Sequence, residues 1–210
     1  MQKEFGEKMS SQDEKTTNKS KEEDESISFI VEKPFEDDIN TIFFTGDVSE
    51  ESANRLIIEL VECSRLAADK EDAEDIKIYL NTEGGSAYEM FAIYDIMQKV
   101  KSSVDISVIG IGKVMSAGVL LLAAGTRGKR KIGKHSRVMI HNVVTGQSGA
   151  IHTVEHELKE VKRIQDMYIE CLTKNSDLTT QEIKRLLRKN ENIYISAEQA
   201  VEYGIADEIL

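Results

Sequence analysis

Two residues of this chain have the types that acyl transfer needs. Ser116 lies in Gly112-Lys-Val-Met-Ser116-Ala-Gly118, a small-residue turn that opens a helix, and His141 ends the short apolar run Met139-Ile-His141. A serine hydroxyl attacks a carbonyl well only when a neighbouring base takes its proton, and histidine commonly serves as that base. A second glycine-rich turn, Asn81-Thr-Glu-Gly84-Gly85-Ser86, stands at another strand-to-helix junction and offers backbone N–H groups to an oxyanion. In such a site Ser116 attacks, His141 carries the proton, and the N–H groups of Gly85 and Ala117 hold the carbonyl oxygen. Each part also has a plain reading: Ser116 as an ordinary helix cap, His141 as a satisfied strand-end histidine. Their joint occurrence at like ends of separate segments favours a serine hydrolase.

Those segments follow a repeating order. Thr41–Thr45 reads as a strand, and Ser49-Glu-Glu-Ser52 begins a helix with Ala53, Leu56, Ile57, Leu60 and Val61 at helical spacing. Acidic residues 70–75 mark a loop before the strand Ile76–Leu80, and the next helix carries Met90, Ile93, Tyr94, Met97 and Val100. Val104–Ile109 is expected as a strand, Gly110–Lys113 as a turn, Ser116–Ala124 as a short helix, and Ser136–Ile140 as a further strand. Strand, turn and helix in succession predict an α/β fold. Open sheets of that class place ligand groups beyond the carboxyl ends of their strands, where Gly84-Gly85, Ser116 and His141 all fall.

Downstream, residues 149–174 carry Val154, Leu158, Val161, Ile164, Tyr168 and Cys171 at three- and four-residue steps, a long amphipathic helix whose stripe suits a subunit contact. Thr179-Thr-Gln-Glu182 is a capping signal for a helix through Arg188, and a short helix from Ser196 ends at Gly204.

The chain has 210 residues and a net charge of -11. Residues 1–27 lack apolar periodicity and are expected to be a disordered charged tail, leaving 28–210 as the folded domain. The acidic balance argues against nucleic acid as a partner, since phosphate neutralisation needs clustered positive charge. The basic run Arg127-Gly-Lys129-Arg130-Lys131 reads as a solvated turn, with a partner or substrate contact as the other reading. Cys63 and Cys171 have no metal-ligand spacing and read as small buried hydrophobes. No metal or cofactor is expected. No apolar run approaches the ~20 residues that span a bilayer, and the N-terminal stretch is not a secretory signal, so no membrane association and a cytoplasmic setting are expected.

Several ordered blocks from about residue 42 to 210 resemble the Clp protease catalytic subunit family, ClpP, of self-compartmentalised serine peptidases. They include Phe43-Phe-Thr-Gly46, Ile78-Tyr-Leu-Asn-Thr-Glu-Gly-Gly85, Ala92-Ile-Tyr-Asp-Ile-Met97 and Gly112 to Gly118. Ala124-Gly-Thr-Arg-Gly-Lys-Arg130, Ser136-Arg-Val-Met-Ile-His141 and Ser196-Ala-Glu-Gln-Ala-Val-Glu-Tyr-Gly204 extend the match. The resemblance implies a ClpP/crotonase-like repeated β-β-α spiral with a protruding handle helix near residues 149–174. It also implies self-association into rings, heptamers or stacked heptamers, that enclose the sites and cleave polypeptide. A separate AAA+ unfoldase or a related ring subunit is the implied partner, because this chain has no nucleotide-binding loop.

Carried over by motif, Ser116 is the nucleophile and His141 the base. The family's triad Asp lies two residues before the aromatic of a Phe-Leu-Ser-Ala-like segment, which here is Tyr194-Ile-Ser-Ala197, so Asn192 takes that place. Asn orients an imidazole but adds no carboxylate charge; Glu191 and Asp177 are the reserves. Glu83 replaces the family's Pro before the glycine pair, and Asn142-Val143 replaces its Gln-Pro after the histidine. These departures leave three alternatives: a noncatalytic or regulatory ring subunit, a phage-type maturation protease, and a crotonase-like acyl-thioester enzyme.

Overall fold

Alternating apolar residues make Ile76–Thr82 (β2) the centre of a parallel pair on each side, with every second side chain buried from Ile76 to Thr82. It lies between Thr41–Thr45 (β1) and Ile106–Met115 (β3), and Ile78 pairs with both Ile42 and Val108. The computed structural model describes residues 40–68, 73–146, 148–188 and 191–210. The expected tail at 1–27 and residues 70–72 of the acidic loop lie outside these.

The strand β3 corrects the expected turn at Gly110–Lys113. Leu80 pairs with Gly110 and Thr82 with Val114, so β3 advances four residues while β2 advances two. The surplus forms a bulge with Gly112 at φ +63°, and the strand bends there instead of ending. Its first half pairs with Arg130–Ile132 (β4), and its second half with Arg137–Ile140 (β5), both parallel. Ile193–Ile195 (β6) joins β5 antiparallel, and Glu208–Ile209 (β7) closes the β4 edge. The bend thus directs the end of β3 towards β5 and its following histidine.

Helices Glu50–Ala68 (α1), Ala87–Val100 (α2), Ala117–Ala123 (α3), Ile151–Asn175 (α4) and Thr180–Leu187 (α5) pack in chain order, each on the next. The predicted apolar positions of α2 are all buried, and every residue of α3 is buried. Thr179 and Ser196 head α5 and Ala197–Glu202 (α6) with full capping boxes, each satisfying two otherwise unpaired donors. In α4 the buried side chains are Ile164, Tyr168, Ile169 and Leu172, all in its second half. Ile151, Val154 and Leu158 in the first half remain exposed. Cys63 is buried and Cys171 half-buried.

The basic run is a solvated turn only at its start: Arg127 and Gly128 are exposed in a turn, whereas the run ends in a strand. Arg130 begins β4 and is 1 % exposed, and it bridges three elements. Its guanidinium donates to the carbonyls of Ala123 (3.3 Å) and Asn175 (2.6 Å), at the ends of α3 and α4, and through Nε to Asp207 Oδ2 at 2.8 Å. Two helix C-termini and a carboxylate therefore surround one buried cation. Arg127 pairs with Asp177, Lys129 with Asp75 and Asp105, and Lys131 with Glu208.

Asp207→Asn strands that buried charge and is expected to cost about 3 kcal/mol at neutral pH, or roughly 6–12 °C in Tm. Burial pushes the Asp207 carboxyl up, but hydrogen bonds from Arg130 and from the Gly128 N–H outweigh it and hold the group below its ordinary value. A depressed carboxylate stabilises the fold above its unfolded value, near pH 4, and that contribution fades as pH falls through the folded value. Thermal melts at pH 7 and pH 3 should therefore show the gap between parent and variant narrowing in acid.

Candidate active site

Three parallel strands, β2, β3 and β5, end on the same side of the sheet, and each delivers one part of the site. From β2 the chain turns through Gly84 and Gly85. A Cβ on Gly84 would sit 2.5 Å from Ser116 Cβ and 2.9 Å from the Met115 carbonyl oxygen, so only glycine lets this turn lie against the serine. A Cβ on Gly85 would collide with the Val48 carbonyl, which instead accepts a hydrogen bond from the Ser86 N–H at 2.8 Å. The exposed ion pair of Glu83 with Lys113, 2.6 Å, spans from this turn to β3.

At the end of β3, Ser116 adopts φ +54° and ψ −117°, the one positive φ outside glycine among the described residues. Such a conformation costs on the order of 1–3 kcal/mol and persists only where surrounding contacts fix it. Here Met115 pairs with Met139 across the β3–β5 ladder, and the Ser116 N–H donates to the Met139 carbonyl at 2.8 Å. The backbone twist leaves the hydroxyl without a helix-capping bond. It lies instead 2.7 Å from His141 Nε2. Ser116 opens α3 without a side-chain cap, and its hydroxyl is the partner of the histidine that follows β5.

The surrounding backbone donors are largely used: Gly84 N–H donates to Thr82 Oγ1, Ser86 N–H to Val48, and Ser116 N–H to Met139. The N–H groups of Gly85 and Ala117 fall outside that set. Both residues line a cavity of about 500 Å³ together with Ser116 and His141. The segment after His141 is tied down on two sides. Asn142 Nδ2 donates to the Leu187 carbonyl at 2.7 Å, and Gln165 Oε1 accepts from the Val143 N–H at 2.8 Å.

Asn192 precedes β6. Ile140 faces Ile193 in the antiparallel β5–β6 pair, so the next step of that register sets His141 opposite Asn192. Asn192 and its neighbour Glu191 are both exposed. Among the described residues the imidazole has one side-chain hydrogen bond, the contact with Ser116. Asp177 is engaged elsewhere, 2.9 Å from Arg127 and lining a separate cavity of about 190 Å³.

The arrangement brings a hydroxyl against an imidazole beside two backbone donors in a cavity large enough for a side chain. The chain belongs to the Clp protease family. The family model described as Clp protease matches residues 22–210. The ATP-dependent Clp protease proteolytic subunit 1 of Thermobifida fusca (strain YX) is 36% identical over 179 residues, covering 85% of this chain and 76% of that protein. Membership makes the chain a serine-type endopeptidase.

The family match begins at residue 22, ahead of the domain start expected at residue 28. No described helix is long and apolar enough to cross a membrane. Among the described residues no group of three or more His, Cys, Asp or Glu side chains is gathered for a metal ion. Sequence reasoning missed two contributors. Gln165 fixes the loop after His141, and Tyr168 lines the cavity; both lie in the amphipathic run of α4, where only helical spacing was visible.

Proposed function

We propose that this chain hydrolyses peptide bonds through an acyl-enzyme on Ser116, with His141 as the base and Asn192 as the orienting residue. The observation that carries the reading is the 2.7 Å contact between Ser116 Oγ and His141 Nε2 at a strained turn. Oγ attacks the scissile carbonyl carbon as Nε2 takes its proton. The N–H groups of Gly85 and Ala117 hold the oxygen as negative charge develops. The C–N bond then breaks while Nε2 returns the proton to the departing amine. Water, deprotonated by the same nitrogen, attacks the ester and releases the carboxylic product with Ser116 restored. The structure holds no hydrogen bond between Asn192 and His141. The β5–β6 register sets the two positions opposite each other, and the scheme needs Asn192 Oδ1 to turn in and accept from His141 Nδ1–H so that Nε2 faces the serine.

The architecture fits a repeated β-β-α spiral with α4 as its handle. The exposed Ile151, Val154 and Leu158 on α4 support self-association through that helix, into rings of seven or stacked rings. Hydrolysis itself needs no ATP in this scheme; folded substrates require a separate AAA+ unfoldase, in the cytoplasm. Asn192 favours one competing reading, a ring subunit that is noncatalytic or regulatory.

Intact-mass detection of a fluorophosphonate adduct separates the two. The assembled parent should gain one adduct per chain, Ser116→Ala none, and His141→Ala far less. An unlabelled parent would support the noncatalytic subunit, and a labelled Ser116→Ala variant would remove Ser116 as the nucleophile.

A further inference from the structure

The turn that carries Gly85 is held from two sides. On one side Val48 grips it through the backbone: the Val48 N–H donates to the Gly84 carbonyl and the Ser86 N–H to the Val48 carbonyl, both at 2.8 Å. On the other side the β2–β3 ladder stops at Thr82, paired with Val114, one residue before Glu83. Beyond that point side chains make the link. Lys113 Nζ donates to Glu83 Oε1 at 2.6 Å, and the Lys113 N–H donates to Asn81 Oδ1 at 3.2 Å. Lys113 therefore ties the end of β2 to the bulge of β3, three residues ahead of Ser116. Gly84 and Gly85 have φ of +98° and +149°, a backbone that glycine enters freely and also leaves freely. Neither carries a side chain to stiffen the turn, so its distance from β3 depends on its anchors.

We infer that Lys113 is a positioning residue: through Glu83 it holds the turn against β3 and so sets the Gly85 N–H at the distance from Ser116 that an oxyanion needs. Glu83 lines the cavity beside Ser116 and Lys113 does not, so Lys113 acts through the turn and not by touching substrate. Negative charge develops on the carbonyl oxygen only as Ser116 attacks. A turn that drifts from β3 thus loses transition-state stabilisation and leaves ground-state binding alone. Both side chains are partly exposed, and such a pair contributes little to stability, so its effect belongs in kcat more than in Tm. This inference rests on the peptidase reading above and adds to it the residue that places one oxyanion donor.

The test uses the assembled full-length protein and one short fluorogenic peptide. Lys113→Met and Glu83→Gln should each lower kcat about fivefold and keep KM within about twofold of the parent. The double variant should fall no further than either single one, because both remove the same tie. Lys113→Arg keeps the cation and should stay within about twofold of the parent. A Lys113→Met protein with the parent's kcat overturns the inference, as do losses that multiply in the double variant. A change confined to KM overturns it too, and makes Glu83 a substrate contact instead. Fluorophosphonate labelling of the same samples separates this failure from that of the peptidase reading. A labelled parent whose Lys113→Met variant turns over equally fast removes only the role of Lys113, whereas a parent with neither labelling nor turnover removes both readings.

Discussion

Ser116→Ala is expected to lower kcat for peptide hydrolysis by at least about a hundredfold in the native chain, and by about a millionfold in the Asn192→Asp background. The difference follows from the way triad members act as a unit. In a full serine triad the nucleophile is worth about 10⁶ in kcat, while loss of the carboxylate alone costs about 10⁴. A site that already lacks the carboxylate has less left to lose. His141→Ala should fall to the same floor, and the double variant should fall no further. Single-turnover rates on one short peptide measure all of these. A Ser116→Ala protein that keeps the parent rate would exclude the serine as nucleophile.

Asn192→Asp is expected to raise kcat by roughly 10²–10⁴, with KM changed little. The register of β5 and β6 sets position 192 across from His141, where a carboxylate would accept a hydrogen bond from Nδ1–H and stabilise the imidazolium that forms during attack. An amide carbonyl does the first of these and not the second. The size of the gain also reports what Asn192 contributes. A rise near the upper figure means the amide fails to hold the productive tautomer; a rise near the lower one means it orients the ring well and lacks only charge. Asn192→Ala completes the comparison, and should fall below the parent if the amide orients the ring. A gain absent from Asn192→Asp in a correctly assembled sample would show that position 192 does not reach His141.

Both expectations depend on how the imidazole is held. Asn142 and Val143 anchor the chain directly after His141 to α5 and α4, through Leu187 and Gln165. Those anchors limit the freedom of the histidine backbone, so the ring's orientation is left to its two nitrogens. One meets Ser116, and the other is what the residue at position 192 is proposed to settle.

Much of this site was legible from the chain because its parts are local. Gly84-Gly85, the small residues around Ser116, and His141 after an apolar run each report a turn or a strand end from their own neighbours. The burial of α2 followed from helical spacing, and the capping box of α5 from Thr179 and Glu182, while at Ser196 the sequence showed a helix start and the structure added the box. The end of β3 was not legible. Gly110 and Gly112 signal a turn in isolation, but pairing with β2 on one side and with β4 and β5 on the other carries the strand through as a bulge. Arg130 misled for a related reason. A basic run is normally solvated, and only the convergence of two helix ends and Asp207 makes its burial favourable.

By itself the sequence determined the α/β class and the strand and helix succession from β1 to α3, though not β4, β6 or β7. It also singled out the serine and histidine that the structure brings together, since periodicity and turn chemistry act over a few neighbouring residues. The tertiary structure decided two further things: the positive φ of Ser116 that frees its hydroxyl, and the 2.7 Å approach of His141. Each depends on contacts between segments far apart in the chain. Hydrogen-bond geometry across such distances is fixed by packing, which no local pattern encodes.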